Sequence, residues 1–297
     1  MSRGASPTTG KPYGVERVCK ACHYPRSTLY AQQQRAAAPE HPHAKRGPKP
    51  AIFDEELLDL IRRDLRESSF SGEGHRKVWR RLKFGRNVAV SRKRVLRIMR
   101  EHNLLSPHRR PQVPPSEHKG TITTQEPNVM WGVDGTKVFT VEEGHAWIFT
   151  AMEHWNAECM GWHVTGKGDR FAAMEPVAQG VLAQFGHVGQ DAARGLAIRM
   201  DHGSQYLSDH FQSQLKFWGI APSFAFLEQP QTNGVAERFF RTLKEQVIYG
   251  RVFRTIAEVF QAVKEFVERY NQQWLVEKNG FLSPIEMRET FALKAAA

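Results

Sequence analysis

The sequence predicts an α/β domain, a mixed five-stranded sheet flanked by helices, preceded by small all-α modules. Three observations predict it. From residue 128 onward, three apolar, β-branched and aromatic runs follow one another with short connections. After them strand-like and helix-like stretches alternate, giving the order β-β-β-α-β-α-β-α. Before residue 112 the periodicity is helical, and the charge follows the same boundary. Residues 1–111 hold 25 Lys+Arg against 10 Asp+Glu, a balance of +15, whereas residues 112–297 balance to −4.

The net charge of +11 and pI near 9.7 point to a polyanionic partner, and the asymmetry assigns that contact to the first third. No apolar run approaches the ~20 residues that cross a bilayer. Met1–Gly14 lacks the apolar stretch of a secretory signal. Three cysteines in 297 residues argue against a disulfide framework and for a reducing, cytoplasmic setting.

In chain order, residues 1–35 read as a helix-turn-helix region. Val15, Val18, Cys19 and Cys22 make the inner face of the first helix; Pro25 opens the second, with Leu29 and Tyr30 packing back. That leaves Arg26, Ser27 and Thr28 to touch DNA. Residues 36–52 form a Pro- and Ala-rich linker. Residues 53–106 read as a basic helical module with Leu57, Leu58, Ile61 and Leu65 on one stripe. Ser91 is placed to cap its third helix. The outward cations of that helix, Arg92, Lys93, Arg94, Arg97 and Arg100, suit phosphate contact. Residues 107–125 form a second, stiff linker.

Residues 126–297 carry the expected catalytic domain. Its strands are predicted at Val129–Thr140, His145–Met152, Glu158–Thr165, Leu196–Met200 and Ala221–Phe224, with helices at Arg170–Phe185 and Tyr206–Trp218. A further helix follows Asn233-Gly234, and an amphipathic one closes the series with Ile256, Val259, Phe260, Val263, Phe266, Val267 and Tyr270. Three acids stand out. Asp134 lies within an apolar strand, where burying a carboxylate is costly unless it is paired or holds metal. Asp201 sits just past a strand end, where open α/β sheets bind ligands. Glu237 falls in a helix's first turn, with Arg241 and Lys244 on its face. Convergent carboxylates would suit two hard cations, Mg²⁺ or Mn²⁺, acting on a phosphodiester. Each acid alone has a plainer reading: a hydrogen-bonded buried acid, a helix cap, a surface ion pair.

Taken together, the contexts Trp131-Gly-Val-Asp134-Gly-Thr, Asp201-His-Gly-Ser-Gln-Tyr and Thr232-Asn-Gly-Val-Ala-Glu237-Arg-Phe-Phe-Arg-Thr-Leu-Lys244-Glu resemble the integrase catalytic core of DDE transposases and retroviral-type integrases. The resemblance is greatest to the second-frame (OrfB-like) product of bacterial insertion sequences. Residues 74–82, 90–105 and 17–31 resemble that family's upstream helical parts, and 35 residues separate Asp201 from Glu237, the family's interval. The resemblance implies an RNase H-like fold and cleavage and strand transfer of DNA at insertion-sequence ends. It also implies Asp134, Asp201 and Glu237 as catalytic metal ligands for two Mg²⁺ or Mn²⁺ ions, and Arg241 and Lys244 as DNA contacts. The implied partners are the terminal repeats, target DNA, at least one further copy of the chain, and possible fusion to or cooperation with an upstream-frame protein. Two departures stand out: His202 follows Asp201 where the family has Arg, and Gln272-Gln273-Trp274 replaces Arg-Pro-His after Asn271. The alternatives are a metal-dependent nuclease of the same fold without strand transfer, and a DNA-binding regulator whose acids are idle.

Overall fold

The computed structural model describes residues 4–37, 51–107, 122, 124–225 and 233–296. The chain divides into two compact units, residues 1–51 and 52–297. Most of the two expected linkers lies outside the described residues. Among the described residues no helix is long and apolar enough to cross a membrane.

The first unit holds α1 (Gly14–Ala21) and α2 (Arg26–Ala37). Cys19 is buried and Val15 and Val18 are partly so, as the periodicity predicts. Cys22, expected on the same face, is exposed: it is the C-cap, where the chain leaves the helical path toward His23 at φ 51°. Tyr30, expected to pack back, is also exposed, and α2 has no buried side chain.

In the second unit, α3 (Asp54–Glu67), α4 (His75–Arg80) with a following π-turn, and α5 (Arg92–Glu101) enclose Leu57, Ile61, Val78, Leu82, Val95, Ile98 and Met99. Ser91 caps α5 as expected, its hydroxyl accepting from the Arg94 amide. The π-turn carries Arg81 to a buried acid pair: its guanidinium forks onto Asp64 at 2.8–3.1 Å and reaches Glu73 at 2.6 Å.

The sheet follows the predicted register of strands closely. β1 (Met130–Thr140), β2 (Gly144–Glu153) and β3 (Cys159–Thr165) form an antiparallel meander, and β4 (Ala197–Met200) and β5 (Ala221–Phe224) run parallel to β1. The strand order is β3-β2-β1-β4-β5. α6 (Arg170–Phe185) spans the predicted bounds and ends at Gly186, whose φ of +79° suits its role as a left-handed cap. The predicted helix at Tyr206–Trp218 is two, α7 (Ser204–Leu207) and α8 (Asp209–Phe217). Ser208 separates them because its extended backbone breaks the helix while its hydroxyl caps the next one at Phe211 N–H. α6 and α8 cover one face of the sheet. α9 (Gly234–Leu243) and α10 (Ile256–Gln273) cover the other through Phe239, Phe240, Leu243, Val263, Phe266 and Tyr270. A last helix, α11 (Pro284–Ala295), starts with a capping box between Ser283 and Glu286 and was not among the predicted elements.

The α3–α4 connection fastens the helical module to the sheet domain. Phe70 leaves its own module and enters the α9/α10 core, edge-on to Trp274 at 4.9 Å. Around it Gln246 exchanges hydrogen bonds with the Ser71 backbone at 2.8 and 2.9 Å, and the Ser69 hydroxyl donates to Gln273 at 2.6 Å. Gln273 and Trp274, which depart from the family pattern, are thus part of this seam. Replacing Phe70 by Ala is expected to lower unfolding stability by about 3–5 kcal/mol, the usual result of emptying a buried aromatic site. Urea unfolding checks this, and a loss under ~1 kcal/mol would show the seam to be loose.

Candidate active site

The three acids come from three elements that meet where β1 and β4 separate. Asp134 is in the middle of β1, opposite Thr150 of β2. The pairing of β1 with β4 covers Met130 to Gly132 and goes no further, so Asp134 lies just past the point where the strands diverge. Asp201 is the first residue after β4. Its carboxylate accepts the Gly203 amide at 2.8 Å, and a Cβ on residue 203 would lie 2.9 Å from that same oxygen. Glycine there leaves room for the acid to approach the turn this closely. Glu237 is exposed in the first turn of α9.

The electrostatics tie them together. Burial, with the negative charges of Asp201 and Glu237, pushes the Asp134 carboxyl up to about 6, against a hydrogen bond from the Gly135 amide at 2.8 Å that favours its ionised form. Burial also raises the Glu237 carboxyl. Lys244, on the π-turn that prolongs α9, is the cation whose charge partly offsets this field at Asp134. Arg241 is exposed on the same helix. Among the described residues no group of three Asp, Glu, His or Cys side chains stands close enough to hold a metal ion as it is. The three acids are linked by their mutual repulsion at Asp134.

Sequence reasoning missed the floor of this cleft. Tyr206 is fully buried beneath the acids, and burial plus the charges of Asp134 and Asp201 keep its hydroxyl protonated far beyond the ordinary range. Its only sequence signal was an aromatic following Asp201 in a helix start. His202 stacks on Phe224 at 5.6 Å and His210 meets Phe171 at a tilt, 4.6 Å between centroids, so both imidazoles rest against aromatic rings.

The expected DNA-contact residues separate into groups. Arg26, Ser27 and Thr28 are exposed at the start of α2, with Arg26 3.3 Å from Glu16. Arg92 and Lys93 are exposed at the start of α5. Arg94, expected to face outward, is turned inward: it binds Asp54 at 2.6–2.8 Å and the Ile52 carbonyl at 2.6 Å. Arg97 joins the same Asp54 at 2.6 Å and Glu101 at 2.8 Å. Asp54 opens α3, and its charge draws both guanidiniums across the module, which periodicity within one helix does not reveal.

An HTH-like domain matches residues 53–112, and integrase core domains match residues 124–230 and 219–274. These matches give the chain an HTH-like region followed by an integrase core, the organisation of InsD-like transposases. Within that class it is InsD-like: it is 29% identical over 221 residues to Transposase InsD for insertion element IS2A/D/F/H/I/K of Escherichia coli, covering 72% of each chain. The same figures hold for Transposase InsD for insertion element IS2D of Escherichia coli (strain K12). Similar solved structures include the HTLV-2 integrase catalytic core domain in complex with magnesium, at 16% identity and TM-score 0.40, covering 53% of this chain and 95% of that one. The BIV integrase core, at 19% identity and TM-score 0.40, covers 57% and 99%. The HTH-like match falls on the α3–α5 module rather than on α1 and α2.

The raised Asp134 carboxyl has a consequence for stability. An unfolded aspartate ionises near 3.8, the folded one near 6. Well below pH 3.8 both forms are protonated and nothing is lost. Through the window up to about 6 the folded state alone keeps the proton, so stability falls as pH rises and the full cost, about 3 kcal/mol, persists above it. Asp134→Asn is therefore expected to stabilise the metal-free protein at pH 7.5 and to leave it unchanged near pH 3.5. Denaturant titrations at the two pH values measure this; equal stability of variant and parent at pH 7.5 would contradict the assignment.

Proposed function

We propose that this chain cuts and joins DNA at insertion-sequence ends, with Asp134, Asp201 and Glu237 as the catalytic and metal-binding triad. The observation that carries this reading is that Asp201 and Glu237, from two other parts of the chain, lie near enough to Asp134 on β1 for both to oppose its ionisation. The donor set fits the ions this reading requires. All three are hard oxygen ligands, suited to two Mg²⁺ or Mn²⁺ ions, and their mutual repulsion is what a bound cation would relieve. When bound, such ions supply charge stabilisation for the attacking and leaving oxygens of an in-line displacement.

The chain's own residues do the rest. Asp134, ionised above pH ~6, provides the most enclosed oxygen donors. Gly203 orients Asp201 through its amide. Lys244, half-buried beside Asp134, is set to meet a phosphate of the terminal DNA, and the exposed Arg241 extends that contact along α9. Arg92 and Lys93 of the HTH-like module, and Arg26, Ser27 and Thr28 of the first unit, add further DNA contacts. Arg94 and Arg97 hold that module's shape through Asp54. The active species contains at least two copies, since two ends must be brought together, and it acts in the bacterial cytoplasm.

Two results are expected. Asp134→Asn, Asp201→Asn and Glu237→Gln each reduce strand transfer on an end-containing duplex by about 10³-fold or more, as expected when transition-state charge stabilisation is removed. Full activity in any one of them excludes that residue. Lys244→Ala weakens binding of terminal DNA and lowers the slope of log affinity against log salt by about 1, the contribution of one phosphate contact. An unchanged slope in a salt titration removes Lys244 from the DNA interface.

A further inference from the structure

The residue that introduces α9 carries a buried polar side chain with no part in the chemistry above. Asn233 is 5% exposed and makes no side-chain cap for the helix it precedes. Instead its Nδ2 donates to the Val133 carbonyl at 3.0 Å, one residue before Asp134.

The strand ladder explains why that carbonyl is available. The Ala197 amide donates to the Val129 carbonyl at 2.9 Å, so the odd-numbered carbonyls of β1 face β4. Pairing between the two strands stops at Gly132 and Arg199. The Val133 carbonyl is the next in that row, and it falls just past the last β1–β4 pair, where β4 stays paired with β5 alone. A buried carbonyl without a donor is destabilised by about 1–3 kcal/mol, and the Asn233 amide supplies the donor. The approach is possible because residue 132 is glycine: a Cβ there would lie 2.4 Å from Asn233 Oδ1 and 3.0 Å from His154 Nε2.

We propose that Asn233 is a positioning residue for the third acid: its amide pins the start of α9 to β1, so that Glu237, one turn on, stands over Asp134 before metal or DNA arrives. The inference rests on reading the three acids as one metal site. Its physical basis is that the N–H donors of a helix's first turn lack intrahelical acceptors, so that turn is the part most readily displaced. A misplacement of ~1 Å at a catalytic group can lower a rate about 10²-fold.

The test uses the full chain with Asn233→Ala, which removes the donor, and Gly132→Ala, which leaves Asn233 intact but intrudes on it. Four readouts accompany strand transfer: hydrogen exchange of amides 238–241 without metal, calorimetric Mn²⁺ binding, affinity for end DNA, and melting temperature. Both variants are expected to exchange those amides about tenfold faster, to bind Mn²⁺ about tenfold more weakly, and to transfer strands up to ~100-fold more slowly, with DNA affinity and melting temperature little changed. Exchange and Mn²⁺ affinity within twofold of the parent in both variants would overturn the proposal. So would a joint loss of DNA binding, metal binding and melting temperature, which marks a merely structural residue. Asp134→Asn and Glu237→Gln serve as the separate arm: if they bind Mn²⁺ as the parent does, the metal reading itself fails, whatever Asn233 does to the helix.

Discussion

The cleft depends on one constraint: β1 must carry a carboxylate at the point where its parallel neighbour departs. Because β4 stops pairing at Arg199, Asp134 has a strand on one side and an opening on the other. The same divergence puts Asp201 at the lip of the opening and exposes the Val133 carbonyl that receives Asn233. Had the two strands stayed paired for two more residues, Asp134 would be walled in and α9 would have nothing at that end of β1 to bind. The sheet's parting thus creates both the crevice and the anchor for the helix that completes it.

That arrangement places an energetic burden on the free protein. Asp201 and Glu237 oppose the ionisation of Asp134, Asp134 and Asp201 oppose that of the buried Tyr206 hydroxyl, and Lys244 offsets the repulsion at Asp134 in part. The remainder of the second unit compensates by conventional packing, with two large apolar clusters on the sheet's faces and a third within the helical module. Phe70 ties the module to the α9/α10 side, so the element bearing Glu237 is backed from behind by the HTH-like region. Positive charge is distributed differently. Some of it is exposed, as at Arg92 and Lys93, and some, as at Arg94 and Arg81, holds the module together by meeting Asp54, Asp64 and Glu73.

Much of this was legible in the sequence because it is local. Period-two and period-3.6 patterns located all five strands, α6 and α10, and the turn at Asn233-Gly234 placed Glu237 in a first turn as found. Ser91 was readable as a cap since capping involves neighbours three residues apart. What could not be read joins residues far apart in the chain. Arg94 looked outward on its own helix but meets Asp54 forty positions earlier. Tyr206 lies under the acids through the folding of β4 back beside β1. Asn233 was taken for a turn residue, and its amide reaches a carbonyl one hundred positions upstream. The missed helix α11 is a different case: Ser283-Pro284-Ile-Glu286 carries its capping box in plain sequence, and the signal was present without being used.

The central claim is that Asp134, Asp201 and Glu237 act as one cation site whose charge is kept in check by protonation of Asp134. Calorimetric titration of the full chain with Mn²⁺, repeated in buffers of different ionisation enthalpy, tests it most directly. With the Asp134 carboxyl near 6, binding at pH 6 should release about half a proton per chain, and release should vanish by pH 8. Asp134→Asn should abolish the release at pH 6. No Mn²⁺ binding at either pH, or the same proton release with and without Asp134, would contradict the account.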